Sequence, residues 1–551
     1  MTAKPNSDTD KPYDLDDKVE AQHLEMAVKH AGGDNAEASG AIAIERMEHE
    51  MGLWESLRNY KGAVFWSLAV SMCIIMEGYD LALVGNLIAL KAFREKFGIY
   101  VDERQGYQIS APWQSAVTQA PTIGAFFGVL IAAYMASRMG YKWTLQIFMI
   151  MMTASIFVVF FSTSLPVLFV GQFLSGVPWG AFSVIPTAYA SEVAPVRLRV
   201  VLTSYIQICW CIGQFVTAGV VYGVKDMEGQ VSESGGMCSD RKWAYRIPFA
   251  LQWVWPAALH IVLLFAPESP WWLIRKGRVE EAARVVKRLG KIPRENTQAY
   301  VAMMERTSEI EQRVTAGASY AECFKGPALR RTLIVCCTHA FANFTGLLVS
   351  NLGTYFFLVA GLSEDQAYGL GLGNTGIQLF CVILSVGLSS RFGRRTLVLW
   401  GLGFNCLCLL IMGILACVKQ STGVTWVQGI LVIIIGAQWG LTLGPMCWTI
   451  VGETSSLRLR ALTVGLSRDA YYLSSVVLGI VNAYMLNPTG WGLVGKTGFF
   501  YLGTCGLVLV LAYFYLPELR GRSYREIDIL FSRRVSARKF SSTEVGEHDE
   551  E

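Results

Sequence analysis

Apolar runs and short polar breaks alternate along nearly the whole of this 551-residue chain. The runs fall at roughly 62–91, 110–136, 142–162, 166–190, 200–223 and 245–266, and again at 331–359, 368–389, 396–417, 425–450, 461–486 and 497–516. A helix needs about 20 apolar residues to cross a hydrocarbon layer of about 30 Å. Each run therefore predicts a transmembrane helix, giving twelve in two sets of six. Glycine and proline inside the runs do not argue against this, because membrane helices tolerate them. The expected class is an all-α membrane protein. Its expected parts are a cytosolic tail (1–60), a six-helix half (61–267), a cytosolic helical linker (268–330), a second six-helix half (331–516) and a C-terminal cytosolic tail (517–551).

Composition agrees, with 53% hydrophobic and only 16% charged residues, where a soluble domain carries about 25% charged. Nucleic-acid binding, a secreted disulfide scaffold and an enzyme of soluble domains are poor readings. Most of the 13 Cys lie inside apolar runs and read as small packing residues. Cys238 and Cys323 fall in polar loops expected on opposite membrane sides, and no disulfide or metal spacing exists. The first 20 residues are acidic and polar, so no signal peptide is expected. A stretch near Ala41 to Leu57 is amphipathic.

Lys and Arg in the short loops set the expected orientation. Arg138, Lys142, Arg197, Arg199, Arg391, Arg394, Arg395, Arg458 and Arg460 share one side, against Lys419 and Lys496 on the other. The basic side is expected in the cytosol, with both termini and the interval from Glu268 to Arg331. Val279 to Leu289 in that interval has apolar residues at helical spacing.

Three polar motifs recur in the same order in each half. Arg138-Met139-Gly140-Tyr141-Lys142 answers Arg391-Phe392-Gly393-Arg394-Arg395, Glu192 with Arg199 answers Glu453 with Arg460, and Pro267-Glu268 answers Pro517-Glu518. Three matches near a common offset argue for a duplicated six-helix unit, and two such halves with a midplane site between them describe a rocking secondary transporter.

At these motifs the chain resembles the sugar porters of the major facilitator superfamily over about residues 60 to 531. Several segments resemble fungal maltose and general α-glucoside permeases more closely: Glu77-Gly78-Tyr79-Asp80, Gly176-Val177-Pro178-Trp179-Gly180, Tyr189-Ala190-Ser191-Glu192-Val193-Ala194-Pro195, Gly452-Glu453-Thr454-Ser455-Ser456-Leu457-Arg458-Leu459-Arg460 and Pro517-Glu518-Leu519-Arg520-Gly521-Arg522-Ser523. The resemblance implies a twelve-helix major facilitator fold, alternating access, a disaccharide-type substrate and proton symport at a fungal plasma membrane. It implies no cofactor beyond the proton as coupling ion, no partner beyond sugar and bilayer, and a working monomer. The chain departs from the family pattern at Ser137 and Ser390, where the loop motif carries Asp, and at Trp271, Gln172 and Ala342, where relatives place Arg, Arg and Gln.

Glu77 and Asp80 lie three apart on one helical face of the first run. A carboxylate at membrane depth costs about 2.5–3.5 kcal/mol on insertion scales and marks a pathway, relay or counter-charge. Asp80 is the expected proton carrier, with a fixed ion pair as its structural alternative. Arg468, followed by Asp469 in the eleventh run, is the cation left to partner the first-run acids. Sugar recognition calls for amides against hydroxyls and aromatic faces against the pyranose ring. Gln207 and Gln214 supply amides seven apart on the fifth run, and Asn343, Tyr355, Asn374, Gln378, Trp448 and Tyr471 complete a candidate ring. Interhelical hydrogen bonding or interfacial anchoring explains any one of them as well. His260 and His339 read as lone structural residues. The resemblance further implies a cytoplasmic gate in which Glu192 with Arg199 and Glu453 with Arg460 join the Arg138 and Arg391 loops. Two other readings remain, a transporter of another sugar, polyol or secondary metabolite and a non-transporting sugar receptor.

Overall fold

The computed structural model describes residues 53–543 apart from 104–105, 195, 226–239, 291–293, 316–318, 420, 457–458, 521, 523 and 541. Side chains at 196–197, 199–201, 203–204, 240–242, 294–296, 299, 310–315, 327, 386, 389–390, 460–461 and 524–525 are also left undescribed. Cys238 and residues 41–52 of the amphipathic stretch lie outside these residues, while Leu53–Asn59 is helical.

Helix dominates, as lipid requires, because a helix satisfies its own backbone hydrogen bonds. One hairpin, Ile99–Asp102 with Gly106–Gln108, is the sheet found among the described residues. Among the described residues, ten helices are long and apolar enough to cross a membrane. Ten of the twelve expected segments meet that measure, and the seventh and eleventh do not. The seventh is broken into Gly326–Phe341, a 3₁₀ turn at Ala342–Thr345, Leu347–Asn351 and Gly353–Val359. The eleventh, Arg460–Leu486, is long enough but carries Arg468 and Asp469. Both still pack inside the bundle, the eleventh against the second and the seventh.

Small residues set the packing of the first half. In the second helix (Ala111–Met139) and the fourth (Leu165–Val193), a Cβ on Gly124 would sit 2.2 Å from the Phe173 carbonyl oxygen, and one on Gly176 2.1 Å from that of Pro121. The first helix (Lys61–Ala89) and the fifth (Val196–Val224) meet the same way. There a Cβ on Gly78 would lie 2.1 Å from the Trp210 carbonyl oxygen, and one on Gly213 2.2 Å from that of Ile75. Lipid gives helices no hydrophobic reason to associate, so close backbone approach through glycine is what holds them.

The halves meet along two seams, the second helix on the eleventh and the fifth on the eighth (Glu364–Arg391). Exchanging the halves converts one seam into the other, as a duplicated unit demands. Between the halves, Pro270–Arg275, Val279–Leu289 and Arg294–Thr315 form a small cluster around Trp272, Val286 and Met304. The expected helix at 279–289 is present. It lies against the first segment, where Arg288 covers Trp66 at 5.2 Å and donates to the Phe265 carbonyl at 2.5 Å. The C-terminal part is packed down as well. Helix Tyr524–Ser532 buries Phe531 against Arg331, whose guanidinium stacks 4.8 Å from that ring and pairs with Asp528.

Candidate binding cavity

A central cavity of about 1380 Å³, counting the water it opens to, lies at the seam between the halves. The first, second, fourth and fifth helices line it from one half and the seventh, tenth and eleventh from the other.

The first helix brings both acids to the wall. Glu77 is buried and lies 3.5 Å from Arg468 of the eleventh helix. Arg468 is held within a set of aromatic rings, its guanidinium 4.9 Å from each of Trp448, Tyr471 and Tyr472. Asp80 is also buried, but its described partner is different: Gln252 of the sixth segment donates to Oδ1 at 2.6 Å. The pairing expected for the first-run acids is thus made by Glu77, while Asp80 has a neutral amide. Sequence spacing predicts that the two acids share a face but not which side chain each one meets.

Of the expected sugar contacts, Gln207, Trp448 and Tyr471 line the cavity. Gln214 does not. It lies with Asn374 and Gln378 on a second, smaller pocket of about 410 Å³ that shares Leu81 and Asn351 with the first. Seven residues on the fifth helix span two turns, and that rise carries Gln214 past the main chamber. Asn343 and Tyr355 line neither pocket. Asn343 is spent between helices, donating to the Tyr471 carbonyl at 3.1 Å and to Ser474 Oγ at 2.9 Å. Tyr355 is fully buried in the apolar core beside Phe356 and Phe357. Sequence reasoning passed over Trp179, Trp210, Trp439, Gln119, His339 and Tyr472, all on the wall. Trp210 and Trp439 meet across the seam at 6.2 Å. Trp179 was visible in the Gly-Val-Pro-Trp-Gly segment; the others carry no local signal.

Among the described residues, four polar atoms on the wall are buried without a hydrogen-bond partner: Trp439 Nε1 and Arg468 Nε as donors, and Gln119 Oε1 and His339 Nε2 as acceptors. Buried polar groups are seldom left unpaired. Indole and phenol side chains, Trp179, Trp210, Trp439, Trp448, Tyr471 and Tyr472, share that wall.

The expected gate differs from the observed contacts. Glu192 bonds to Arg275 at 2.7 Å, to Tyr141 Oη at 2.9 Å and to Ser269 Oγ. Glu453 takes Arg394 through two bonds of 2.8 and 3.2 Å. Arg138 is exposed and stacks on Tyr134 at 5.5 Å, and Arg391 is exposed, with its carbonyl accepting from Arg520. The side chains of Arg199 and Arg460 lie outside the described residues. Arg275 reaches Glu192 from the linker, and Arg394 reaches Glu453 from the start of the ninth helix.

The Pro-Glu repeat has a clear use. Glu268 accepts from the backbone N–H groups of Tyr141 at 2.9 Å and Lys142 at 3.1 Å, capping the third helix (Tyr141–Phe160). Glu518 accepts from Arg394 N at 3.0 Å at the start of the ninth (Arg394–Cys417). A carboxylate at a helix N-terminus meets orphan donors and the positive end of the dipole. Burial pushes the Glu268 carboxyl up, against the backbone donors that pull it down. Glycine makes room, since a Cβ on Gly140 or Gly393 would lie 2.3 or 2.2 Å from the capping carboxylate.

Polar contacts between the halves gather on the opposite face. Asn86 accepts from Thr354 at 2.8 Å, Asn487 donates to the Ile109 carbonyl at 2.7 Å, Thr489 accepts from Ala111 N at 2.9 Å, and Lys225 pairs with Asp365. At mid-depth Tyr472 Oη reaches Ser183 Oγ at 3.2 Å.

This is the architecture of a multi-pass major facilitator transporter. The xylose transporter XylE from E. coli, in a partially occluded inward-open conformation, superposes with a TM-score of 0.67 at 18% identity, over 84% of this chain and 99% of that one. The same proton:xylose symporter bound to 6-bromo-6-deoxy-D-glucose gives 0.65, also at 18% identity, over 86% of this chain and 100% of that one. The chain belongs to the sugar (and other) transporter family, whose model matches residues 66–531. It is 36% identical to the general alpha-glucoside permease of Saccharomyces cerevisiae over 96% of this chain and 87% of that one, and 35% identical to that yeast's maltose permease MAL31 over 92% and 81%. These relatives and structural neighbours are transporters, not enzymes.

Proposed function

We propose that the protein imports α-glucosides such as maltose by proton-coupled alternating access at a fungal plasma membrane, with both termini cytosolic and a single chain as the working unit. The observation that carries this reading is the cavity wall, where four unpaired polar atoms stand among aromatic faces. The resemblance in sequence to α-glucoside and maltose permeases supports the substrate class.

Residues 61–267 and 331–516 act as the rocking halves, with 268–330 as the cytosolic linker between them. Contacts such as Asn86 with Thr354 and Asn487 with Ile109 close the outer face, which makes this arrangement inward-facing. On the cytosolic side each acid of the gate is held by an arginine outside its own helix, Glu192 by Arg275 and Glu453 by Arg394. Inward opening leaves these pairs intact, and outward opening brings the Arg138 and Arg391 loops together.

Asp80 carries the coupling proton. Its carboxylate lies on the cavity wall and meets the Gln252 amide, with no arginine or lysine among its described hydrogen-bond partners. Glu77 holds Arg468, and Arg468 fixes the aromatic wall. Gln207, Trp448 and Tyr471 contact the sugar, with Gln214, Asn374 and Gln378 reached through the smaller pocket.

The test is labelled maltose uptake in a transport-null yeast at acidic and neutral external pH, with recording of external alkalinisation. Uptake with alkalinisation in the parent protein, and loss of both in Asp80→Asn with surface level unchanged, is the expected result. Surface-expressed protein that takes up no sugar would end the proposal.

A further inference from the structure

His339 sits on the seventh segment, 3% exposed, on the wall of the cavity. Its ring lies edge-on to Trp448 at 5.0 Å and to Tyr471 at 6.4 Å, both also on the wall. Nδ1 is 3.0 Å from Ser467 Oγ on the eleventh helix. A serine hydroxyl has one proton to give, and that of Ser467 is given to the Val464 carbonyl at 2.7 Å. With that proton on the carbonyl, Ser467 accepts, and this assignment puts the hydrogen on Nδ1 of His339.

In a neutral imidazole with Nδ1 protonated, Nε2 carries a lone pair and no hydrogen. The Arg468 guanidinium stands over the same two aromatic rings. Nε2 is thus an acceptor, buried and unpaired. Ala342, one turn further along and on the same wall, contributes only a methyl group.

We propose that His339 is a specificity-determining residue that accepts a hydrogen bond from one hydroxyl of the transported sugar through Nε2, with Ser467 as the positioning residue that fixes the tautomer. This rests on the reading of the protein as a sugar transporter. A site with a buried unpaired acceptor rejects a substrate that lacks the matching donor, because the acceptor then stays desolvated and unmatched. The prediction is directional: the sugar must donate, so replacing the hydroxyl by fluorine is as harmful as removing it.

The experiment is competition of labelled maltose uptake in whole yeast by singly deoxygenated and singly fluorinated maltoses. Full-length parent, His339→Phe and Ser467→Ala proteins are compared at matched surface level. In the parent, one hydroxyl position is expected at which both the deoxy and the fluoro analogue compete at least about tenfold worse than maltose. His339→Phe keeps the ring volume without the acceptor and brings that penalty below about threefold. Ser467→Ala leaves the ring but frees the other tautomer, so the fluoro analogue, an acceptor, recovers relative to the deoxy analogue at that position only. This second variant keeps the test informative if His339→Phe does not reach the surface. A position-by-position profile unchanged in both variants overturns the role of His339 while leaving sugar transport standing. Parent protein at the surface that neither takes up maltose nor binds any analogue overturns both.

Discussion

The first and seventh segments each open a set of six, yet they are built on opposite plans. The first runs as one apolar helix from Lys61 to Ala89, keeps helical backbone through Met72, and is pressed onto the fifth by Gly78 and Gly213. It carries Glu77 and Asp80 on a wall that cannot shift without separating two backbones. The seventh breaks at mid-depth, where Gly346 takes φ +84°. The carbonyls freed there are taken by side chains: Asn405 donates to Thr345 O at 2.6 Å and Thr504 to Phe344 O at 2.8 Å. Irregular backbone at membrane depth survives only with such substitutes. Duplication supplied the same place twice; one copy became a fixed carrier of charge and the other a joint.

The most damaging way to disturb this contrast is to force the rigid side apart. Gly78→Leu places side-chain carbon where the Trp210 carbonyl lies, 2.1 Å from the first added atom. Loss of folded protein from the membrane, seen by fluorescence size-exclusion and surface labelling, is the expected outcome. Normal yield would mean that the first and fifth helices are not locked.

Next comes the charge the rigid side carries. Arg468→Gln leaves Glu77 buried without its cation, and removing one member of a buried pair costs about 3–5 kcal/mol. Arg468→Gln alone is expected to abolish uptake and lower the thermal midpoint. The double variant with Glu77→Gln recovers most of the midpoint but not the uptake. A double variant no more stable than the single one would show that the pair does not hold the wall.

The joint should respond more mildly. Gly346→Ala imposes a left-handed backbone on an L-residue, at a cost of about 1–2 kcal/mol, and brings its Cβ 3.1 Å from Leu409 Cδ2. Slower uptake at unchanged surface level is expected. Asn405→Leu, which removes the donor to the freed Thr345 carbonyl, should mimic it. Unaltered rates in both would argue that the break is not a moving part.

The smallest effect belongs to the face that carries the pair of Lys225 with Asp365. Asp365 is largely exposed, so its pair with Lys225 contributes about 0–1 kcal/mol and is weakened by salt. Asp365→Asn is expected to change the uptake rate less than twofold, with the difference vanishing at high ionic strength. The apolar and neutral contacts around Asn86 and Asn487 carry the closure instead.

Much of this was legible in the chain because it depends on local properties. The Pro-Glu repeats were legible as a repeat through their spacing, while their use as caps of equivalent helices by Glu268 and Glu518 came only with the fold. The Glu77-to-Arg468 contact was reachable by elimination, since few charges lie within apolar runs. The break in the seventh segment was not legible, because Gly346 is one glycine among 53. Nor were the partners of Glu192 and Glu453: Arg275 and Arg394 look like any other loop cations. Asn343 and Gln378 have identical chemistry on paper, yet one is spent between helices and the other lines a pocket.

Hydrophobic length, charge bias and repeated motifs are written along the chain, so the sequence alone determined a duplicated helical membrane protein of the transporter class. They act through the solvent, residue by residue, and need no knowledge of neighbours. Which acid meets arginine and which meets glutamine, where the cavity ends above Gln207, and which nitrogen of His339 is free were decided only by the fold. Those outcomes depend on side chains more than a hundred positions apart competing for the same few ångströms. Desolvation makes every unmet partner costly there.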